Sequence, residues 1–331
     1  MDLPPVDAVL LLSFGGPEGP EDVVPFLENV TRGRGIPAER LAQVGRHYLD
    51  HFGGVSPLNE QCRQLRAALE AELAERGPAL PVYWGNRNWH PFLAETLAQM
   101  AADGRRHALA VVTSAFPSYS GCRQYREDLA REAVPGLLVR KLRHYWAEEG
   151  FLGPVRRNAE DAAAGLSAPR LVFTAHSIPV SAAATSGPDG GAYESALRTA
   201  AARVAGDRPW DLVWQSRSGP PSVPWLEPDV SDHLAVLGEQ GVTEVVLVPL
   251  GFTSDHVEVV YDLDVVAVPG APAGMQVRRA RTVGTDPDFV AMLRDLVVER
   301  IEGPELPDHG GVATHDVCPE RCCPAPQRPA G

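Results

Sequence analysis

Long apolar runs are missing from this 331-residue chain. Nothing approaches the roughly 18–20 consecutive apolar residues that cross a bilayer, so no transmembrane segment is expected. Positive charge is scarce too: 30 Lys and Arg against 43 Asp and Glu leave a net charge of −13. Gripping nucleic-acid phosphates takes clustered Lys and Arg, so a nucleic-acid surface is not expected. The N-terminal stretch MDLPPVDAVLLLSFGG has one short apolar run and an Asp where a signal peptide carries Lys or Arg, so a cytoplasmic location is expected. The loop Ser13–Pro17 (SFGGP) lacks both the G-x-G-x-x-G spacing and the G-K-[ST] ending, so no nucleotide cofactor is expected. Its glycines either let backbone approach a flat ligand or make a turn. Cysteine is sparse and odd in number, five in all, which is a poor disulfide framework.

What the chain does contain is an ordinary globular composition, 44% hydrophobic and 22% charged. Its length exceeds what one hydrophobic core usually serves, which points to two domains. Apolar strand-like runs recur at Ala8–Phe14, Val82–Trp84, Ala108–Ser114 and Leu137–Lys141, then at Leu171–Thr174, Leu212–Gln215, Val245–Leu250 and Met275–Ala280. Helical stretches separate them: Leu58–Arg76, with Leu65, Leu69 and Leu73 on one face, then Pro91–Met100, Gly121–Ala133, Ala192–Val204 and Asp286–Ile301. Continuous apolar strands alternating with amphipathic helices predict parallel sheets covered on both faces. The expected fold is α/β, two doubly wound domains with four main parallel strands each. The junction falls between Tyr145 and Pro169, dividing the chain into 1–150, 151–284 and a C-terminal helix and tail, 285–331, that returns to the first domain. Such sheets bind ligands beyond the carboxyl ends of their strands.

One strand end stands out. The run EVVLVPL (Glu244–Leu250) leads into GFTSDHVEVVYDLD, where Glu258 and Asp262 lie four residues apart. On a helix these carboxylates share a face, and like charges so placed repel. They form either a solvated acidic face or a site that binds metal ions and moves protons. His176 closes another apolar strand, where an imidazole opens toward the crevice rather than into the core. One imidazole with a short row of carboxylates suits loose binding of a divalent ion and removal of protons.

Here the chain resembles the ferrochelatases. The resemblance is carried by LLLSFGGPEGPEDV (Leu10–Val23), HFGGVSPLN (His51–Asn59), SYSGCRQYRE (Ser118–Glu127), FTAHSIPV (Phe173–Val180), WQSRSGPPSVPWLEPD (Trp214–Asp229) and GFTSDHVEVVYDLD (Gly251–Asp264). It implies two Rossmann-like, chelatase-like domains and insertion of Fe(II) into a porphyrin with release of two pyrrole protons. His176 and Glu258 match the family's paired groups on the metal path, with His176 as pyrrole proton acceptor, and Asp262 continues the acidic line outward. The next step is usually acidic as well; here it is Val266, and Asp264 could replace it only on a widened helix. Phe14 matches a position over the porphyrin face and offers stacking but no axial ligand. Arg32, Arg34, Ser56 and Tyr125 match positions that meet the substrate's propionates.

The overall style is similar to the actinobacterial coproporphyrin III type with a C-terminal cysteine tail, the product passing to a downstream haem-pathway enzyme. Protoporphyrin IX is the rival substrate. A cobalt chelatase of another tetrapyrrole and a non-catalytic haem or iron–sulfur binder are the rival functions; Glu258, where cobalt-inserting relatives show a second histidine, and the retained His176–Glu258 pair weigh against them.

The tail CPERCC brings Cys318, Cys322 and Cys323 together in a Pro/Gly-rich stretch without apolar periodicity. With Cys122 as the fourth thiolate, a tetrahedral zinc site or a [2Fe–2S] cluster is expected, a disordered, redox-labile tail being the alternative. The resemblance implies the cluster, and the adjacency of Cys322 and Cys323 predicts that each binds a different iron. Cys62 reads as a small packing residue.

Overall fold

The computed structural model describes residues 3–33, 36–303 and 318–325. Its first half runs β1 (Ala8–Ser13), α1 (Val23–Val30), α2 (Ala38–Phe52), α3 (Pro57–Arg76), β2 (Val82–Asn86), α4 (Leu93–Ala102), β3 (His107–Val112), α5 (Gln124–Arg131) and β4 (Leu138–Lys141). The second half runs α6 (Glu149–Ala163), β5 (Arg170–His176), α7 (Val180–Ala184), α8 (Ala192–Ala205), β6 (Trp210–Gln215), α9 (Val230–Glu239), β7 (Glu244–Val248), α10 (Val257–Val259), β8 (Gln276–Arg279) and α11 (Pro287–Glu302). A π-helix, Val260–Ala267, continues α10 without a break.

The eight expected strands form two four-stranded sheets, ordered β2-β1-β3-β4 and β6-β5-β7-β8, and every pairing is parallel. Strands β1 and β3 are buried along their whole length. That is why they read as unbroken apolar runs, since helices cover both faces of the sheet. In each sheet the strand order reverses beside the first strand, β1 or β5, which opens a crevice at its carboxyl end. Strand β7 stops at Val248, short of the expected Leu250, where Pro249 lacks the N–H that a further ladder bond needs.

Helix α3 shows how local sequence sets these elements. Ser56 caps it by accepting from the Leu58 N–H, Pro57 occupies its first turn, and Leu65, Leu69 and Leu73 are buried along one side. One buried cluster joins both sheets, taking in Val9 and Leu11 of β1, Leu171 and Phe173 of β5, and Phe289 of α11. Helix α11 packs against α3 and α6. Tyr145, Phe151 and Phe289 meet there with ring centroids 5.8–6.2 Å apart. Buried Arg143 ties the junction, reaching Glu148 at 2.6 Å and Glu299 of α11 at 2.7 Å. No helix among the described residues is long and apolar enough to cross a membrane.

Candidate active site

His176 is the last residue of β5, so the strand itself delivers its ring to the crevice. Its Nδ1–H donates to the Ser177 carbonyl at 2.5 Å, and Tyr193 holds the His176 carbonyl at 2.9 Å. That bond fixes the tautomer and leaves the Nε2 lone pair facing Glu258, with 3.8 Å between Nε2 and Oε2. A divalent ion with bonds of about 2.1 Å to nitrogen and to oxygen bridges such a gap. Gln215, at the end of β6, donates to the Glu258 carbonyl at 3.1 Å and seats the start of the helix.

Asp262 lies one helical turn beyond Glu258 and accepts a short hydrogen bond from the Ser216 hydroxyl. Burial pushes its carboxyl up to about 6, the Ser216 bond opposing that rise and the charge of Glu258 adding to it. A carboxyl so tuned exchanges protons near neutral pH. Ser216 reaches it from left-handed backbone, φ 61°. A serine in that region is uncommon and marks a constrained position.

The helix is indeed widened, but Asp264 does not take the place of the missing acid. Its two carboxylate oxygens accept from Arg279 Nε at 2.7 Å and Nη2 at 2.8 Å, and Asp255 pairs with the same guanidinium at 2.7 Å. Val266 is exposed. His256 escaped the sequence reading because histidine is not a usual helix cap. It is half-buried, its Nδ1 accepts from the Glu258 N–H at 3.2 Å, and its partial desolvation holds it below its ordinary pKa.

At the crest of the first sheet Phe14 is partly exposed and meets Phe26 edge-on at 6.4 Å. The glycines after it serve the loop's own packing. A Cβ on Gly16 would lie 2.5 Å from that of Ser56, and Asn59 bonds both the N–H and the carbonyl of Gly16. Arg32 is exposed, whereas Arg34 lies outside the described residues. Ser56 and Tyr125 are both buried rather than open to the crevice. Ser56 is spent on capping α3, and Tyr125 lies under the Arg87 guanidinium, 4.5 Å from its ring, while Arg87 pairs with buried Asp128 at 2.5 Å. The structure therefore brings His176, Glu258 and Asp262 together, and sets Phe14 and Arg32 on the other half.

Cys122 sits in a π-turn, Tyr119–Arg123, before α5, with its Sγ 3.7 Å from that of Cys318. Cys322 and Cys323 have their sulfurs 3.8 Å apart, and Cys322 also interacts with Cys318. Two thiolates on one tetrahedral ion at about 2.3 Å stand about 3.8 Å apart, so each pair matches one metal edge. The sulfurs of these adjacent cysteines lie side by side, and Cys323 has left-handed backbone, φ 50°. The Gly187 N–H donates to Cys323 Sγ at 3.0 Å, and Arg123 and Arg126 grip the carbonyls of Cys322 and Cys318. Its sulfur contact with Cys318, together with nearby His144 and Lys141, holds the Cys122 thiol far down, against the effect of burial. The four thiols gather as two contacting pairs, Cys122 with Cys318 and Cys322 with Cys323. No three His, Cys, Asp or Glu side chains among the described residues converge on a single ion.

The pair of doubly wound parallel sheets is a chelatase-like fold. Solved structures of similar fold include CbiX, the terminal enzyme of sirohaem biosynthesis in denitrifying bacteria (TM-score 0.51, 16% identity, 88% of this chain and 98% of that one). The sirohydrochlorin chelatase SirB of Bacillus subtilis subspecies spizizenii with cobalt is another (TM-score 0.51, 14% identity, 91% and 97%). At such identities the likeness is one of fold.

The ferrochelatase family model matches residues 6–301. The chain is 52% identical to the coproporphyrin III ferrochelatase of Streptomyces coelicolor over 98% of its own length and 95% of the relative's. It is 50% identical to that of Nocardia farcinica, covering 98% of both chains, and 49% identical to a ferrochelatase of Rhodopirellula baltica, covering 99% and 96%. The chain belongs to the ferrochelatase family, enzymes that insert iron into a porphyrin.

Proposed function

We propose that this enzyme inserts Fe(II) into coproporphyrin III to give coprohaem, in the cytoplasm, and passes it to a downstream haem-pathway enzyme. The carrying observation is the His176–Glu258 pair, 3.8 Å apart, backed by Asp262. The names of the actinobacterial relatives support the choice of coproporphyrin III over protoporphyrin IX. Two pyrrole N–H bonds break, four Fe–N bonds form and two protons leave; iron stays Fe(II), so no electron donor is required. The Nε2 lone pair of His176 takes a pyrrole proton, Glu258 holds the arriving ion, and Asp262 passes protons outward. Phe14 provides an apolar face to the macrocycle, while Arg32 and Arg34 pair with propionates. Ser56 and Tyr125 support this rim from behind, through the α3 cap and through Arg87. We divide the chain into 1–150, 151–284 and 285–331, a division supported by the packing of α11 on α3.

Cys122, Cys318, Cys322 and Cys323 are proposed to hold a [2Fe–2S] cluster, a structural staple between tail and first half, since the reaction is redox-neutral. Cys122→Ser is expected to abolish its visible absorbance and stoichiometric iron, and to lower Tm by several degrees. A colourless wild-type protein carrying one zinc per chain contradicts this assignment. The catalytic reading is tested by anaerobic Fe(II) with coproporphyrin III and, separately, protoporphyrin IX, following absorbance. Failure to turn over either substrate defeats it.

A further inference from the structure

Two histidines of the first half pack on the helix that carries Glu258 and Asp262. His47 and His51 lie four residues apart on α2, which places both rings on one side of the helix with Cβ atoms about 5–6 Å apart. Both rings rest on Tyr261 of the π-helix. His47 stacks on it with centroids 4.2 Å apart and 14° between planes, and His51 meets it edge-on at 5.2 Å. Tyr261 follows Glu258 by three residues and immediately precedes Asp262. Tyr48, the neighbour of His47, is raised above its ordinary pKa by burial and then by the negative charge of Glu258. The histidine pair therefore stands at the outer approach to the catalytic carboxylates.

Stacking occupies the faces of an imidazole and leaves its nitrogens, on the ring edge, open. No hydrogen bond or ion pair between described residues engages either ring; their ring contacts are with Tyr261. His51 is exposed and His47 half-buried. Burial, then the charges of Arg40, His51 and Arg46, hold His47 below its ordinary pKa, which favours the neutral, metal-binding form. Two histidines at i,i+4 on one helix face are a recurrent divalent-metal pair. With two protein ligands and the rest water, such a site binds weakly and releases readily, as an ion in transit requires.

We propose that His47 and His51 form a docking station for a hydrated divalent cation at the rim of the crevice, from which Fe(II) passes to Glu258 and His176. It takes over the outer end of the acidic row, which stops where Val266 stands and where Asp264 is bound to Arg279. The proposal rests on the ferrochelatase reading for its purpose, though not for the binding itself.

The test is anaerobic titration of the full-length protein with Co(II), by calorimetry and visible absorbance. His51→Gln, at the exposed position, is the main variant, with His47→Gln beside it. Wild type is expected to bind one more Co(II) per chain than His51→Gln. In steady state, the KM for Fe(II) is expected to rise ~5–20-fold with kcat at saturating iron changed less than about twofold, the signature of lost uniform binding. Glu258→Gln is expected to lose turnover and retain the His51-dependent Co(II). Equal Co(II) stoichiometry and affinity in wild type and His51→Gln, or an unchanged KM for Fe(II), overturns the proposal and leaves an aromatic contact only. If wild type retains the His51-dependent Co(II) yet turns over no porphyrin, the cation site survives and the catalytic reading falls.

Discussion

The two halves share one strand order and one switch point, yet their crests carry opposite chemistry. At the carboxyl ends of β1 and β2 the chain places Phe14, a glycine loop clamped by Asn59, and Arg87 in a buried, fully occupied ion pair with Asp128 of α5. At the ends of β5 and β7 it places an imidazole, a glutamate and a carboxyl pushed up to about 6, none of them held by a guanidinium among the described residues. A repeated scaffold supplies the same position twice, and the side chains there differ in kind: one crest offers an apolar surface, the other an imidazole beside carboxylates that, in the function proposed above, exchange protons and metal. The π-helix extends this division. Its wider turn lets Glu258 and Asp262 follow one line while Asp264 swings to Arg279.

Breaking the second crest should have the largest effect. His176→Ala or Glu258→Gln is expected to lower iron insertion ~10³-fold with porphyrin binding kept, as removal of an acid–base group does. Phe14→Leu at the first crest should stay within about tenfold. Anaerobic absorbance with porphyrin fluorescence titration separates the two, and equal losses would dissolve the division of labour.

The first crest should respond in stability instead. Arg87→Ala leaves the buried Asp128 carboxylate, among the described residues, with only Arg131, at 2.7 Å, to answer it. The expected cost is ~3 kcal/mol, about a hundredfold in the folding equilibrium, read from urea denaturation. A change under ~0.5 kcal/mol would show the pair to be dispensable.

Asp262→Asn is expected to slow turnover ~10–100-fold. It should also remove a limb from the pH profile. The carboxyl must be ionised to accept a proton, so wild-type activity falls as pH drops through about 6, and the asparagine variant lacks that fall. The smallest effect belongs to Ser216→Gly. Glycine suits φ 61° without strain, but the hydroxyl that holds the Asp262 carboxyl down is lost, so the limb should move to higher pH. A limb that stays in place would detach Asp262 from that titration.

Much of the scaffold was legible because buried parallel strands cannot hide: β1, β3, β5 and β7 are unbroken apolar runs between helices of period 3.6. His176 and Glu258 were legible because they stand just past such runs. Helices α1 and α2 were less so, since a rim packs through scattered contacts such as Val23, Phe26 and Tyr48 rather than one continuous face. The His47–His51 spacing was a signal that went unused, because nothing local to α2 announces Tyr261, over two hundred residues on. Tyr125 carried a site motif yet lies beneath Arg87, because burial depends on neighbours that no short motif contains.

The amino-acid order alone determined the strands, the helices between them and the residue types at the strand ends, since these follow from local sterics and the period of apolar residues. Tertiary structure decided which of those ends meet. It set Nε2 of His176 3.8 Å from Glu258, bound Asp264 to Arg279 and brought Cys318 to Cys122 from 196 residues away. Distances of that kind arise only when sheets and helices bury against one another, and the chemistry of this protein is written in them.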